Sequence, residues 1–349
     1  MSPPLVIGGA GGTAGHVVPA LSVADALRAE GADVVFVGGE RAERTLVPQR
    51  GYELRVVPVL PLPRGHPLRA GKAGLRDAAA VVEARRFLGA VRADAVLGAG
   101  GYVAGPVGLA GVSRRLPLVL MEADSHLGLA NRMLAPFARR VCLAFPVAGR
   151  DGAKFRLTGR PVPAPATDRA AARRRFGIPP EETCVLVFGG SQGARSINLA
   201  AVEAFAGATF RVLHAAGERD LPDLRAPSPS YDLRGFIPDF GEALLASDLV
   251  VSRAGGSVFE IAAHGRPAIL IPYPYATADH QAANASYMER AGAAVVIADS
   301  ELTPARLASE VGRLLADPPR LAGMARASAG LARPDAAREI AGEVLAALR

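Results

Sequence analysis

Short runs of apolar residues alternate along the chain with longer stretches in which apolar positions recur every three or four residues. The first pattern predicts strands buried on both faces and the second amphipathic helices; their regular alternation predicts parallel α/β construction. The first half reads LVIGG, a glycine-rich loop, the helix ALSVADALRA and the strand DVVFVGG. DAVLGAG, LPLVLME, a helix from about Gly128 to Ala138 and RVCLAF follow. The second half restarts with TCVLVFGG, another glycine loop and the helix SINLAAVEAFA. It continues through FRVLHAAG, YDLRGF, DLVVSRAGG, the helix SVFEIAAHG and PAILIPYP to helices from His280 and Pro304. Each half opens with strand, glycine-rich turn and helix, so two doubly wound domains are expected, 1–160 and 161–333. The break falls in GRPVPAPATDR, where closely spaced prolines suppress regular structure. The closing segment, about 334–349, is an amphipathic helix free to pack back on the first domain, although the sequence does not name its partner.

Composition changes this picture little. A chain of 349 residues is long for a single core, in keeping with two domains. Cys142 and Cys184 both sit in apolar strand runs, which reads as two core thiols in a reducing compartment. The N-terminus, MSPPLVIGGAGG, lacks the basic and apolar regions of a signal peptide, and no apolar run approaches the roughly 18–20 residues that span a bilayer. A net charge of +7 suits an acidic partner, whether nucleic acid, anionic lipid or a phosphorylated substrate, and equally an arginine-rich proteome.

The candidate chemistry lies in the glycine loops. Gly8-Gly9-Ala10-Gly11-Gly12-Thr13-Ala14-Gly15-His16 joins a strand to a helix, where close backbone approach and a helix N-terminus favour an anion. A dinucleotide site is the competing reading, weakened because the second strand ends in Gly38-Gly39 and the acid there is Glu40. His16, at the loop tip, is either a general base or a structural cap. Gly98–Pro106, with Tyr102, forms a second loop at the same sheet edge. Gly189–Asn198 opens the second domain with Ser191, Gln192 and Gly193 but lacks the G-K-[ST] ending of a nucleotide-hydrolysing loop. In Ser252–Glu260, Glu260 lies in a first helical turn, as a dipole partner or a bidentate acceptor for ribose hydroxyls. His280, Gln281 and Asn284 put uncharged polar groups at another helix start, suited to sugar hydroxyls or to capping.

In this order the motifs resemble the MurG family across nearly the whole chain: GGTAGHVVPALSVA, GAGGYVAGP, the segment from Glu122 to Asn131 continuing into NRMLA, GGSQGARSIN, GFI, SRAGGSVFEIAAHGRPAILIPYPYATADHQAANA and AGAAVVI. The resemblance implies a GT-B architecture, two Rossmann-like domains facing a central cleft. It also implies inverting transfer of GlcNAc from UDP-GlcNAc to lipid I, giving lipid II for peptidoglycan, with no metal and no cofactor. No DxD-like carboxylate pair stands at a strand end, in line with that. Thr13, Gly15, His16, Tyr102 and Asn131 would border the acceptor, with His16 the catalytic base. Ser191, Gln192 and Gly193 would contact the donor pyrophosphate, Ile237 the uracil, and Gly255, Gly256 and Ser257 the nucleotide diphosphate. Glu260 would hold the ribose, and His280 with Gln281 the GlcNAc.

Three departures from the family pattern stand out. Met121-Glu122-Ala123-Asp124 replaces His-Glu-Gln-Asn, Gly159-Arg160-Pro161-Val162-Pro163 replaces Gly-Asn-Pro-Val-Arg, and the loop before Glu260 is one residue shorter than in several relatives. The first two bear on acceptor choice and on whether Arg160 stands in for a phosphate-facing arginine. The implied setting is peripheral, on the cytoplasmic face of the cell membrane, with cell-wall assembly proteins as further partners and no nucleic acid. Leu62, Leu68, Leu75 and Phe87 among Arg64, Arg69, Lys72, Arg76, Arg85 and Arg86 would meet an anionic leaflet, or form a solvated basic helix. The alternatives are a GT-B enzyme with another glycolipid or natural-product acceptor, a UDP-GlcNAc epimerase, and a non-catalytic nucleotide-binding module.

Overall fold

The computed structural model describes residues 3–59, 67–190, 193–276 and 279–349, with side chains in the long third helix from residue 76 onward. The chain divides into two compact units, Met1–Val162 with Arg333–Arg349, and Pro163–Ala332. The first contains β1 (Leu5–Gly9), α1 (Ala14–Ala29), β2 (Asp33–Gly38), α2 (Ala42–Gln49), β3 (Glu53–Val56), α3 (Pro67–Ala90), β4 (Ala95–Gly98), α4 (Gly101–Ser113), β5 (Leu118–Glu122), α5 (Leu129–Leu134), β6 (Arg140–Leu143) and β7 (Phe155–Leu157). The second contains α6 (Arg169–Arg175), β8 (Cys184–Phe188), α7 (Arg195–Ala204), β9 (Arg211–Ala215), β10 (Tyr231–Arg234), α8 (Phe240–Ala246), β11 (Leu249–Ser252), α9 (Val258–Ala263), β12 (Ala268–Leu270), α10 (His280–Arg290), β13 (Ala294–Val296), α11 (Pro304–Leu315) and α12 (Pro318–Gly330). The last helix, α13 (Ala336–Ala347), returns to the first unit.

Both sheets are parallel, in the orders β3-β2-β1-β4-β5-β6-β7 and β10-β9-β8-β11-β12-β13. The doubly wound expectation therefore holds in both halves. Their central strands AVLG, LVLME and CVLVF are buried at every residue, which is why they read as continuous apolar runs. Alternate residues feed opposite layers in the first sheet. Val6, Leu97 and Val119 pack with α1 and with Ile340, Ala341 and Val344 of α13. Ile7, Val96 and Leu118 pack with Ala80, Ala84 and Leu88 of α3 and Val103 and Val107 of α4. In the second unit Val185, Val187, Val251 and Ile269 share a core with Ile197 of α7 and Leu307 and Val311 of α11.

The strand order fixes where a ligand can sit. In each sheet the chain runs outward from the first strand and then crosses to its other side, between β1 and β4 and between β8 and β11. The loops after those strands diverge, leaving a crevice at the carboxyl edge. All four of the long glycine-rich segments in the sequence fall at these two switch points.

Candidate active site

At the first switch point the two loops are locked together. Ala99 N–H donates to the Gly9 carbonyl at 2.9 Å. A Cβ on Gly101, which has φ +73°, would lie 2.0 Å from the Gly11 carbonyl oxygen, so no other residue fits without moving a backbone. The His16 ring lies against Gly100, where a Cβ would come within 2.8 Å of it, and its Nδ1 is 3.4 Å from the Thr13 hydroxyl. His16 and Gly15 are half-buried and Thr13 is exposed. Tyr102 stands at the start of α4. Its hydroxyl donates to Glu43 at 3.2 Å, and burial with that carboxylate pushes its pKa up to about 12. Glu40, after β2, is an exposed residue paired with Arg44 at 3.4 Å.

Arg160 joins this site for a reason visible in the chain. Pro19 lies inside α1 and has no N–H for the carbonyl four residues back. That carbonyl, of Gly15, instead accepts from Arg160 Nη2 at 2.6 Å. A small recess beside it is lined by His16, Met121, Glu122, Ala123 and Arg160. Glu122, at the end of β5, is turned inward. It accepts from Asp124 N, Gly128 N and Asn131 Nδ2 at 3.1, 2.8 and 2.9 Å, and burial raises its pKa. Asn131 is itself buried and also donates to the Met121 carbonyl at 2.8 Å. Its place is that of a brace for the 123–128 loop. Of the basic stretch before β4, Phe87 packs against the core instead of facing outward, whereas Arg85 and Arg86 are exposed. Leu62, Arg64, Leu68, Arg69, Lys72 and Leu75 lie outside the described side chains.

The second switch point is tied by different groups. Ser191 and Gln192 lie outside the described residues. Gly193, with φ +73°, packs so closely on the Ala216 carbonyl that a Cβ would lie 2.1 Å from it. Arg253, almost fully buried, was passed over in the sequence reading, yet it ties four segments. It donates to Ser196 Oγ at 2.8 Å, to Asp299 at 2.5 Å, and to the carbonyls of Ile271 and Pro272 at 3.2 Å each. Gln281 Oε1 accepts from Tyr273 N at 2.9 Å, which leaves its amide nitrogen toward Gly255. Asn284 holds the Ala254 carbonyl at 3.0 Å. Gly255, Gly256, Ser257, Glu260, His280 and Gln281 are half-buried around this edge. Ile237 is buried, and its neighbour Phe236 is 65% exposed, an apolar surface that GFI alone did not single out.

Among the described residues no side chain caps α1, α4, α7 or α9, which they share with α2, α5, α8, α10 and α13; only α6, α11 and α12 are capped, by Asp168, Thr303 and Asp317. Uncapped first turns present N–H groups to an anion, so both crevices suit phosphate. Among the described residues no cluster of His, Cys, Asp and Glu is arranged to hold a metal.

The two units match, in chain order, the glycosyltransferase family 28 N-terminal domain over residues 6–143 and its C-terminal domain over residues 184–340. A Mycolicibacterium paratuberculosis protein named UDP-N-acetylglucosamine–N-acetylmuramyl-(pentapeptide) pyrophosphoryl-undecaprenol N-acetylglucosamine transferase is 44% identical, covering 97% of this chain and 88% of its own length. A Halothermothrix orenii protein of the same name is 37% identical, covering 93% and 94%. The crystal structure of Acinetobacter baumannii MurG superposes with a TM-score of 0.79 at 28% identity, covering 99% of this chain and all of that one. A calicheamicin glycosyltransferase at 19% identity and a TM-score of 0.73, covering 100% and 99%, shares the fold. Paired glycine crevices on two Rossmann-like units thus come with like-named relatives over nearly the full length, and the chain belongs to the MurG family.

Proposed function

We infer that this chain transfers GlcNAc from UDP-GlcNAc to lipid I, forming lipid II in peptidoglycan synthesis. The observation that carries the reading is the pair of glycine-lined switch points, one in each unit. The reaction has a diphosphate on both substrates, and each crevice offers backbone N–H groups for one of them. The first unit, with Thr13, Gly15, His16 and Tyr102, takes the acceptor, with Asn131 bracing that side from within. The second takes the donor. Gly193, Gly255, Gly256 and Ser257 face its diphosphate, with Ser191 and Gln192 the further contacts that the family pattern implies. Ile237 meets uracil, with Phe236 as an apolar surface beside it; Glu260 accepts from the ribose hydroxyls. Gln281 has its carbonyl committed to Tyr273 N and so offers N–H donors to the GlcNAc, alongside His280.

The chemistry is one inverting displacement. The acceptor hydroxyl oxygen forms the new bond to the anomeric carbon while the bond from that carbon to the UDP oxygen breaks, and UDP leaves with the electron pair. His16 accepts the hydroxyl proton. Helix N-termini stabilise the charge that grows on UDP.

A lipid-linked acceptor calls for an interfacial face on the cytoplasmic side of the membrane, where this chain acts as a peripheral protein. Leu129, Met133 and Phe137, spaced by four residues along and beyond α5, are 53, 59 and 60% exposed, with Arg132 and Arg139 exposed beside them. That mixture suits anionic lipid. No helix among the described residues is long and apolar enough to cross a membrane.

The decisive measurement is turnover of UDP-GlcNAc with a lipid I analogue, following lipid II. Wild-type protein is expected to give lipid II, and His16→Ala to lower kcat by about 10²-fold or more. UDP-GlcNAc binding without transfer to this acceptor would instead favour a different glycolipid or natural-product acceptor. Near-normal kcat in His16→Ala at saturating substrates would remove His16 as the base.

A further inference from the structure

Glu43 is fully buried in the first turn of α2, and the reaction described above gives it no role. Its carboxylate accepts three hydrogen bonds from three different segments. Gly12 N, in the loop after β1, donates to Oε2 at 2.9 Å. Gly39 N, after β2, donates to Oε1 at 2.9 Å, and the Tyr102 hydroxyl at the start of α4 donates to the same oxygen at 3.2 Å. The surrounding glycines exist to admit this group. A Cβ at Gly11 would lie 2.8 Å from Glu43 Oε1, one at Gly38 2.9 Å from Glu43 Cγ, and one at Gly39 2.4 Å from the Tyr102 hydroxyl.

We propose that Glu43 is a positioning residue for acceptor binding, fixing the Gly12 loop and Tyr102 relative to each other beneath the first switch point. The inference rests on the reading of that crevice as the acceptor side. The two carboxyl oxygens match the backbone N–H donors of Gly12 and Gly39, one on each side, with the Tyr102 hydroxyl as a third partner. Glutamine has the same shape but one accepting oxygen. With that oxygen kept toward Gly39 and Tyr102, its NH₂ group meets the Gly12 N–H, donor against donor. With the amide turned over, the Gly12 bond is kept and the NH₂ group can donate to the Tyr102 hydroxyl, but it meets the Gly39 N–H donor against donor. Either way one of the two backbone bonds is lost and the three-way tie between the Gly12 loop, the Gly39 turn and Tyr102 is broken, all within the first unit.

The test compares wild type, Glu43→Gln and Tyr102→Phe. For Glu43→Gln the KM for a lipid I analogue should rise about tenfold, with the KM for UDP-GlcNAc within about twofold of wild type. Hydrogen exchange should be faster at Gly12 or at Gly39, whichever N–H the NH₂ group opposes. Tyr102→Phe removes one bond and spares both backbone bonds, so it should raise the acceptor KM by a smaller factor, about threefold, with unchanged melting temperature. An unchanged acceptor KM in Glu43→Gln overturns the proposal, as do two KM values that rise together. If Glu43→Gln does not fold, Glu43→Asp, which keeps the carboxylate and shortens its reach, decides by the same split. A wild type that fails to form lipid II would sink the functional reading instead. Protection at Gly12 and Gly39 in Glu43→Gln then still decides whether Glu43 anchors the loops.

Discussion

His214 shows how far a single buried side chain can be specified by its neighbours. Asn198 Nδ2 donates to the Ala216 carbonyl at 2.8 Å and to Asp220 at 3.0 Å, so Asn198 presents its oxygen to His214 Nε2 at 3.0 Å. Nε2 therefore carries the proton, and Nδ1 accepts from the Tyr231 hydroxyl at 2.7 Å. Burial lowers the His214 pKa to about 4, against 6.5 for the free side chain. Between those values the unfolded chain binds a proton that the fold refuses, so stability falls as pH drops from about 6.5 to 4 and is fully present above that window. The shift corresponds to about 3 kcal/mol. Urea midpoints from pH 7 to 4 should fall less steeply in His214→Gln than in wild type; parallel slopes would refute the assignment. His264, also lowered by burial, acts in the same direction. At this scale the sequence was legible where backbone geometry demanded a residue type, as at Gly101 and Gly193. It was silent on Glu43, because the spacing after β2 points to Glu40 and does not say which acid of the next helix turns inward. Arg253 was hidden for a similar reason, since an arginine beside a glycine turn reads as surface charge until its four partners are assembled.

Strands and helices were readable because buried parallel strands leave continuous apolar runs and surface helices leave periodic ones. Partners were not. The closing segment showed a helical stripe, which says that one face is buried and not against what. In the structure α13 covers the layer formed by α1 and the first sheet, where Ile340 is 1% exposed and Val344 fully buried. Arg140 and Arg156 clamp Glu343 of the same helix at 2.8 and 3.4 Å. The first unit is thus completed by a segment that follows the whole of the second, Val162 and Arg333 being separated by Pro163–Ala332. Ile340→Ala should cost the first unit about 2–5 kcal/mol, the range for an aliphatic side chain removed from a packed core. Urea unfolding of the variant gives the value, and a loss below about 0.5 kcal/mol would mean that α13 is a dispensable appendage. The same logic explains Arg160. Proline in α1 opens one carbonyl, and the segment leading into the second unit supplies the cation that fills it.

For the molecule as a whole, the net charge of +7 overstates what is free to meet a partner. Arg169, Arg173 and Arg266 converge on the carbonyls of Leu245, Ala246 and Ser247 at the end of α8, with Asp248 the shared acid. Burial and the nearby Arg169 bring Arg266 down to about 10. Basicity spent this way stabilises a helix C-terminus and recruits nothing. The two crevices of the proposed reaction each belong to a unit with its own core. That separation makes the division of labour measurable. UDP at about 100 times its Kd stabilises whatever binds it by about 2.7 kcal/mol. For a unit of this size that is an upward shift of roughly 5–10 °C in its transition. Calorimetry of wild type should therefore show UDP raising the transition of Pro163–Ala332, and Ile340→Ala lowering that of the unit containing α13. The two perturbations should fall on different transitions and add in the doubly perturbed sample, because they act on groups with no shared core. UDP raising the same transition that Ile340→Ala lowers, and leaving the other in place, would move donor binding to the first unit and overturn the assignment of Gly193, Gly255 and Glu260.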